Sequence, residues 1–205
     1  MSELDRRVPQ LFALVTEALA GATEALLGGE AGVGRAIVDA DRKVDQITRD
    51  LEKAVWAEID AQPISGASLR HLVALLLILP ELERSADLAE HIAQRAVKNL
   101  GSAMSPTSRG IVQRMSDVAL EMWTVAADSY RDGTSRGEEL ADADDEIDAL
   151  RDRLIDEVAA NTMSIDTASQ VALLARFYER LGDHAVNLAR RIATIPNLGG
   201  VAQGF

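Results

Sequence analysis

The sequence predicts an all-α protein built as two tandem three-helix bundles related by an internal repeat. Three observations carry this. Ala, Leu, Glu and Arg dominate, and they are strong helix formers. The apolar residues recur at spacings of three and four, the face period of a helix. The pattern then restarts halfway along the chain. Apolar residues make up 47% of the 205, enough for a sizeable core, and aromatics only 3%, so that core is aliphatic.

Leu11, Leu14, Val15, Ala18, Leu19, Ala22 and Leu26 mark one face of a first helix, closed by Gly28 and Gly29. A second helix is expected from about Ala31 to Ala61, striped by Ile37, Val44, Ile47, Leu51 and Val55 and broken by Pro63 and Gly66. A third is expected from about Ser68 to Asn99, with Pro80 removing one ladder hydrogen bond and kinking it. Gly101 to Thr107 reads as a linker. Ser105 and Pro106 then suit a cap and a first-turn proline. The fourth helix carries Ile111, Met115, Val118, Met122, Val125 and Ala126, and Gly133 ends it. Ser135 with Glu138 has the form of a capping box for the fifth, which carries Ile147, Leu150, Leu154 and Val158. After a turn at Asn161 to Ser164, the sixth runs from about Ile165 to Ala193, and a frayed tail follows Pro196. The units are placed at residues 1–101 and 102–205.

Net charge is −12. Such a chain repels phosphate backbones and anionic lipid, which excludes general nucleic-acid and membrane-surface binding. The absence of Cys excludes disulfides and thiolate chemistry and suits a reducing cytosol. The charged N-terminus has no signal region, and the longest apolar run, Leu72 to Leu79, is short of the ~20 residues that span a bilayer. The expectation is a soluble, cytoplasmic protein.

Among the acidic pairs at i, i+4, four fall in repeat-equivalent places: Asp41 and Asp45, Glu83 and Asp87, Asp144 and Asp148, Glu179 and Asp183. This spacing puts both carboxylates on one helix face, where like charges repel. In an antiparallel hairpin, residues equidistant from the turn lie level. Asp41 and Asp87 share the midpoint 64, as do Asp45 and Glu83; Asp144 and Asp183 share 163.5, as do Asp148 and Glu179. Both midpoints fall in expected turns. Each hairpin is therefore built to bring four carboxylates together, on a partly open face. Asp41 precedes Asp144 by 103 positions and Glu83 precedes Glu179 by 96.

Clustered carboxylates take up protons unless cations compensate. Oxygen-only ligands suit hard ions such as magnesium, calcium, manganese or oxidised iron; zinc is kept among the possible occupants. The competing account is pairing with Arg42, Arg84, Arg151 and Arg180. His91, one turn beyond Asp87, is an auxiliary-ligand candidate whose counterpart is Asn187. His184 points away from Asp183, and His71 reads as a packing residue. No phosphate loop or nucleophile elbow occurs, and nothing calls for catalysis.

The residues Glu83-Arg84-Ser85-Ala86-Asp87 and Glu179-Arg180-Leu181-Gly182-Asp183-His184, with Asp41-Arg42-Lys43-Val44-Asp45 and Asp144-Asp145-Glu146-Ile147-Asp148 upstream, resemble the PhoU family of phosphate-signalling regulators. The likeness extends over about residues 8 to 195 and includes Gln62-Pro63 and Leu69-Arg70. It implies two three-helix bundles, often dimeric. It also implies a negative regulator of the phosphate-starvation response, linking the ATPase of a phosphate ABC transporter to a membrane sensor histidine kinase and modulating uptake. The membrane is then met only through partners. Multinuclear metal clusters in some members imply metal ligation by Asp41, Asp45, Glu83, Asp87, Asp144, Asp148, Glu179 and Asp183. The first copy departs in having Ala86 and Leu88 in place of Gly and His, so the second is the stronger metal candidate. The alternative reading is a carboxylate-cluster metal-binding protein or a metal-dependent enzyme. A helical scaffold without a signalling role is the plainest.

Overall fold

The computed structural model describes residues 3–61, 63, 66–134, 136–160 and 163–193. Among them are seven helices and no strand: α1 (Glu3–Gly28), α2 (Ala31–Ala61), α3 (Gly66–Val97), α4 (Leu100–Ala103), α5 (Pro106–Asp132), α6 (Gly137–Ala160) and α7 (Ile165–Ile192). Helices α1, α2 and α3 form one bundle and α5, α6 and α7 the other. The two-bundle repeat is as the sequence predicts.

Local chemistry explains the boundaries. After α1, Gly29 adopts φ 75° and the Glu30 amide donates to the Ala25 carbonyl, closing the helix in the left-handed manner open to glycine. Ser105 caps α5 by accepting from the Ser108 amide at 3.0 Å, with Pro106 in the first turn; Gly133 ends that helix at φ 65°. Ser164 caps α7 in the same way. The capping residue proposed for α6, Ser135, and the tail after Pro196 lie outside the described residues. Helix α3 runs through Pro80.

The expected linker at 101–107 is corrected. Asn99, at φ 58°, turns the chain into the short helix α4, whose Leu100 is buried. Gly101 passes so near α1 that a Cβ there would lie 1.9 Å from the Leu26 carbonyl oxygen. Arg109 ties the corner by donating to the carbonyls of Gly101 and Leu27.

One core, mostly aliphatic but with Phe12, Trp123 and Tyr178 as its largest buried side chains, runs through both bundles. α1 is long and apolar enough to cross a membrane by length and composition. Here Val8, Leu11, Phe12, Val15, Leu19, Ala22 and Leu26 bury its apolar side against the other helices. The bundles are joined along α1–α5 and along α3–α7. In the first seam the Thr23 hydroxyl contacts Tyr178 Oη at 2.7 Å and accepts from Ser116 at 3.0 Å, a satisfied polar chain in apolar surroundings. In the second, α3 and α7 run antiparallel: Glu81 meets His184 and Arg191, while His91 and Arg95 meet Phe177.

Candidate carboxylate sites

In the first bundle, the α2–α3 hairpin brings Asp41, Asp45 and Asp87 together, with one oxygen of each within 4.8 Å of the others. Facing helices put the acids level, as the shared midpoint requires. Glu83 and Glu90 stand one turn to either side of Asp87 on α3. Burial pushes the Asp41 carboxyl up to about 6, helped by Asp87, Asp45, Glu90 and Glu83. Burial also raises Glu83 and Asp87, each further raised by Asp45; Arg84 and His91 respectively oppose this. Asp41 Oδ1 is buried without a hydrogen-bond partner. Arg49 pairs with Asp45 at 3.3 Å from its exposed side.

Two cavities flank the cluster. A polar one of about 140 Å³ is lined by Asp45, Thr48, Arg49, Glu52, Pro80 and Glu83. On the other side, Asp41 and Glu90 edge a largely apolar groove of about 280 Å³ floored by Leu14, Ile37, Val44 and Ala86. The donor set is oxygen only, mutually repelling, and includes an orphaned buried oxygen. It fits a hard cation.

The second bundle uses the same positions differently. Glu179 is only 8% exposed, and its Oε1 accepts from both Arg151, at 3.3 Å, and Arg176. Arg151 also holds Asp148 at 2.8 Å and Asp152 at 3.0 Å. Burial raises Glu179, with Arg176 and Arg151 opposing and Asp183 and Asp148 adding to the rise. Asp144 is raised by burial, then by Asp183 and Asp148. Gly182 leaves room for the Asp144 carboxylate 3.5 Å from where a Cβ would stand. The arginine account therefore describes Glu179 and Asp148. Among the described residues, three-carboxylate convergence occurs in the first bundle alone. The first bundle thus sets carboxylates against one another, and the second holds Glu179 and Asp148 with arginine while Glu179 Oε2 stays buried without a partner.

The arginines are partly those foreseen. Arg151 neutralises, whereas Arg84 turns to Glu81 at 3.7 Å. Arg176 was not foreseen; its position three residues before Glu179 was the available signal. Among the histidines, His91 stacks on Phe177 with ring centroids 5.4 Å apart, which turns its ring face to packing. His184 does point away from Asp183: its Nδ1 lies 2.6 Å from Glu81 Oε2. That pair joins different repeats, so no spacing within one repeat signals it.

The PhoU domain family model matches residues 8–96 and again 112–192, so it covers both bundles and all eight acidic positions. Among similar proteins, the phosphate-specific transport system accessory protein PhoU homolog of Rhizobium meliloti is 26% identical over 195 residues, covering 92% of this chain and 82% of that protein. Homolog 1 of Mycobacterium tuberculosis is 28% identical over 198 residues, covering 94% and 89%. The crystal structure of PhoU from Pseudomonas aeruginosa superposes with a TM-score of 0.86 at 20% identity, covering 93% of each chain. That of the phosphate transport system regulatory protein PhoU from Streptococcus pneumoniae gives 0.84 at 21%, covering 94% of this chain and 93% of that one.

Proposed function

The chain belongs to the PhoU family, and from that premise we propose that it is an accessory regulator of phosphate transport that holds the phosphate-starvation response off when phosphate is plentiful. On this reading it is a cytoplasmic adaptor, acting as a homodimer. It binds a sensor histidine kinase and the ATPase of a phosphate ABC transporter and modulates uptake, and it meets the membrane only through them. It is a binding protein and not an enzyme. The observation that carries the reading is the double family match, which takes in every DxxxD and ERxxD carboxylate. The accessory role that relatives carry in their names supports it.

The test is deletion of the gene in a strain with no second copy, with a phosphate-starvation reporter measured in phosphate-rich medium. The expected result is a derepressed reporter, restored by the wild-type gene, together with co-purification of the kinase and the ATPase. Reporter output that stays repressed after deletion refutes the role.

A second reading, that the protein binds metal through its carboxylates, is favoured by the convergence of Asp41, Asp45 and Asp87. Those three, with Glu83, would hold the ion; Asp144, Asp148, Glu179 and Asp183 would do so in the second bundle only after its arginines yield. Iron, zinc, manganese and magnesium are the ions to test, and a bound ion would supply charge neutralisation. Elemental analysis of wild type against Asp41→Asn plus Asp87→Asn checks this. Equal metal content in the two proteins removes the reading.

A further inference from the structure

The α3–α7 seam uses the same positions twice. By the offset of 96 that relates Glu83 to Glu179, Arg95 corresponds to Arg191 and Glu81 to Phe177. Arg191 reaches across the seam to a carboxylate, with Nη2 3.1 Å from Glu81 Oε1. Arg95 reaches across in the opposite sense and meets the face of Phe177, its guanidinium carbon 4.6 Å from the ring centroid. One arginine thus has a counter-ion, and its repeat mate has an aromatic ring where that counter-ion would stand.

Arg95 is also the more deeply placed of the two. It is 8% exposed; its Nη1 donates to the His91 carbonyl at 2.8 Å, and its Nε is buried with no partner. Among the described residues no carboxylate lies within 4 Å of it. Burial pulls its pKa below the ordinary arginine value, while Glu90, acting from beyond ion-pair distance, opposes this. Buried charges are normally paired, and a ring face attracts a cation less than a carboxylate does.

Arg95 lines a cavity of about 280 Å³ between the end of α3, α4 and the first turns of α7. Lys98, Asn99, Thr167 and Gln170 share the lining, and Asp166, which is exposed, is its one acid. The lining is therefore net positive in a chain of net charge −12. Gln170 Oε1 is buried without a partner; turning that amide over presents its donors instead. The positive end of the α7 dipole adds to the same potential.

We infer that this cleft binds a small oxyanion, a phosphate, sulfate or carboxylate group, held by Arg95, Lys98 and Gln170 between the two repeats. The anion supplies from solution the counter-ion that Glu81 supplies to Arg191. The inference does not depend on the regulatory role proposed above.

The test is isothermal titration calorimetry of the full chain at fixed ionic strength, after metal has been stripped on a chelating resin and the protein dialysed into a buffer free of oxyanions, so that no metal at the carboxylates carries the anion. Inorganic phosphate, sulfate and acetate serve as probes. Saturable binding of at least one is expected, weakened about tenfold or more by Lys98→Glu and lost in Arg95→Gln. Lys98 is exposed, so its reversal leaves the fold intact. Lys53→Glu changes the net charge equally outside the cleft and retains binding. Phe177→Glu, which gives Arg95 a carboxylate of its own, abolishes it. No saturable binding by any of the three anions overturns the inference, and so does binding equal to wild type in both cleft variants. Equal weakening by Lys53→Glu overturns it too, because the attraction is then general and not local.

Discussion

Asp41→Asn should stabilise the metal-free protein at alkaline pH. The Asp41 carboxyl titrates at about 6 against 3.8 for an ordinary aspartate, because burial and four neighbouring acids disfavour its charged form. A folded-state pKa raised in this way favours the fold below 3.8 and loses that contribution as pH rises through about 6. At pH 8 the wild type carries the whole penalty. The span from 3.8 to about 6 corresponds to ~3 kcal/mol at 1.36 kcal/mol per pKa unit. Asp41 is only half-buried, and solvent screening reduces the effect to about 1 kcal/mol. Its buried Oδ1 has no partner, so the amide forfeits no hydrogen bond there. The assay is thermal unfolding by circular dichroism from pH 4 to pH 8 in EDTA. Asp41→Asn should melt about 2–4 °C above wild type at pH 8, with the difference gone by pH 4. Added manganese should stabilise wild type more than the variant, by ligand linkage. A variant no more stable than wild type at pH 8 in EDTA would refute the account of strained carboxylates.

Three further substitutions, one of them a control, probe what holds the repeats in place. Gly101→Ala puts a methyl 1.9 Å from the Leu26 carbonyl oxygen, a backbone atom that cannot swing aside; a loss of about 3 kcal/mol or more is expected in urea unfolding. Gly110→Ala, with nothing within 4 Å of the new methyl and a helical backbone, should instead gain roughly 0.5–1 kcal/mol. A similar effect at both sites would contradict the close approach of α4 to α1. Glu81→Gln removes the charge that His184 and Arg191 share from a residue only 4% exposed. It should lower stability by about 2–3 kcal/mol, since Arg191 keeps partial access to water. A change below about 0.5 kcal/mol would show the seam to rest on apolar packing alone.

Helix order, the doubling of the bundle and the level placement of the acids were all legible along the chain. They depend on periodicity and on distance from a turn, quantities that sequence separation fixes directly. The caps at Ser105 and Ser164 were legible for the same reason, since their partners lie within one turn. Helix α4 was not, because its four residues are held by a tertiary tie from Arg109 and by contact with Leu26, and glycine and serine there read as linker. Nor was the difference between the two acidic sets. The motifs are nearly identical, yet Arg151 crosses from α6 to Glu179 and Arg176 joins it, while Asp41 and Asp87 face Asp45 and only Asp45 has an arginine, Arg49, on its exposed side. The pairing of Glu81 with His184, and of Arg95 with Phe177, joins residues from different repeats. Sequence by itself determined that each bundle must gather four carboxylates. Only the tertiary structure decided which of them meet a cation: Arg151 and Arg176 both turn to Glu179, whereas Arg84, next to Glu83 in the chain, turns away to Glu81, a choice made by packing between helices and not by sequence separation.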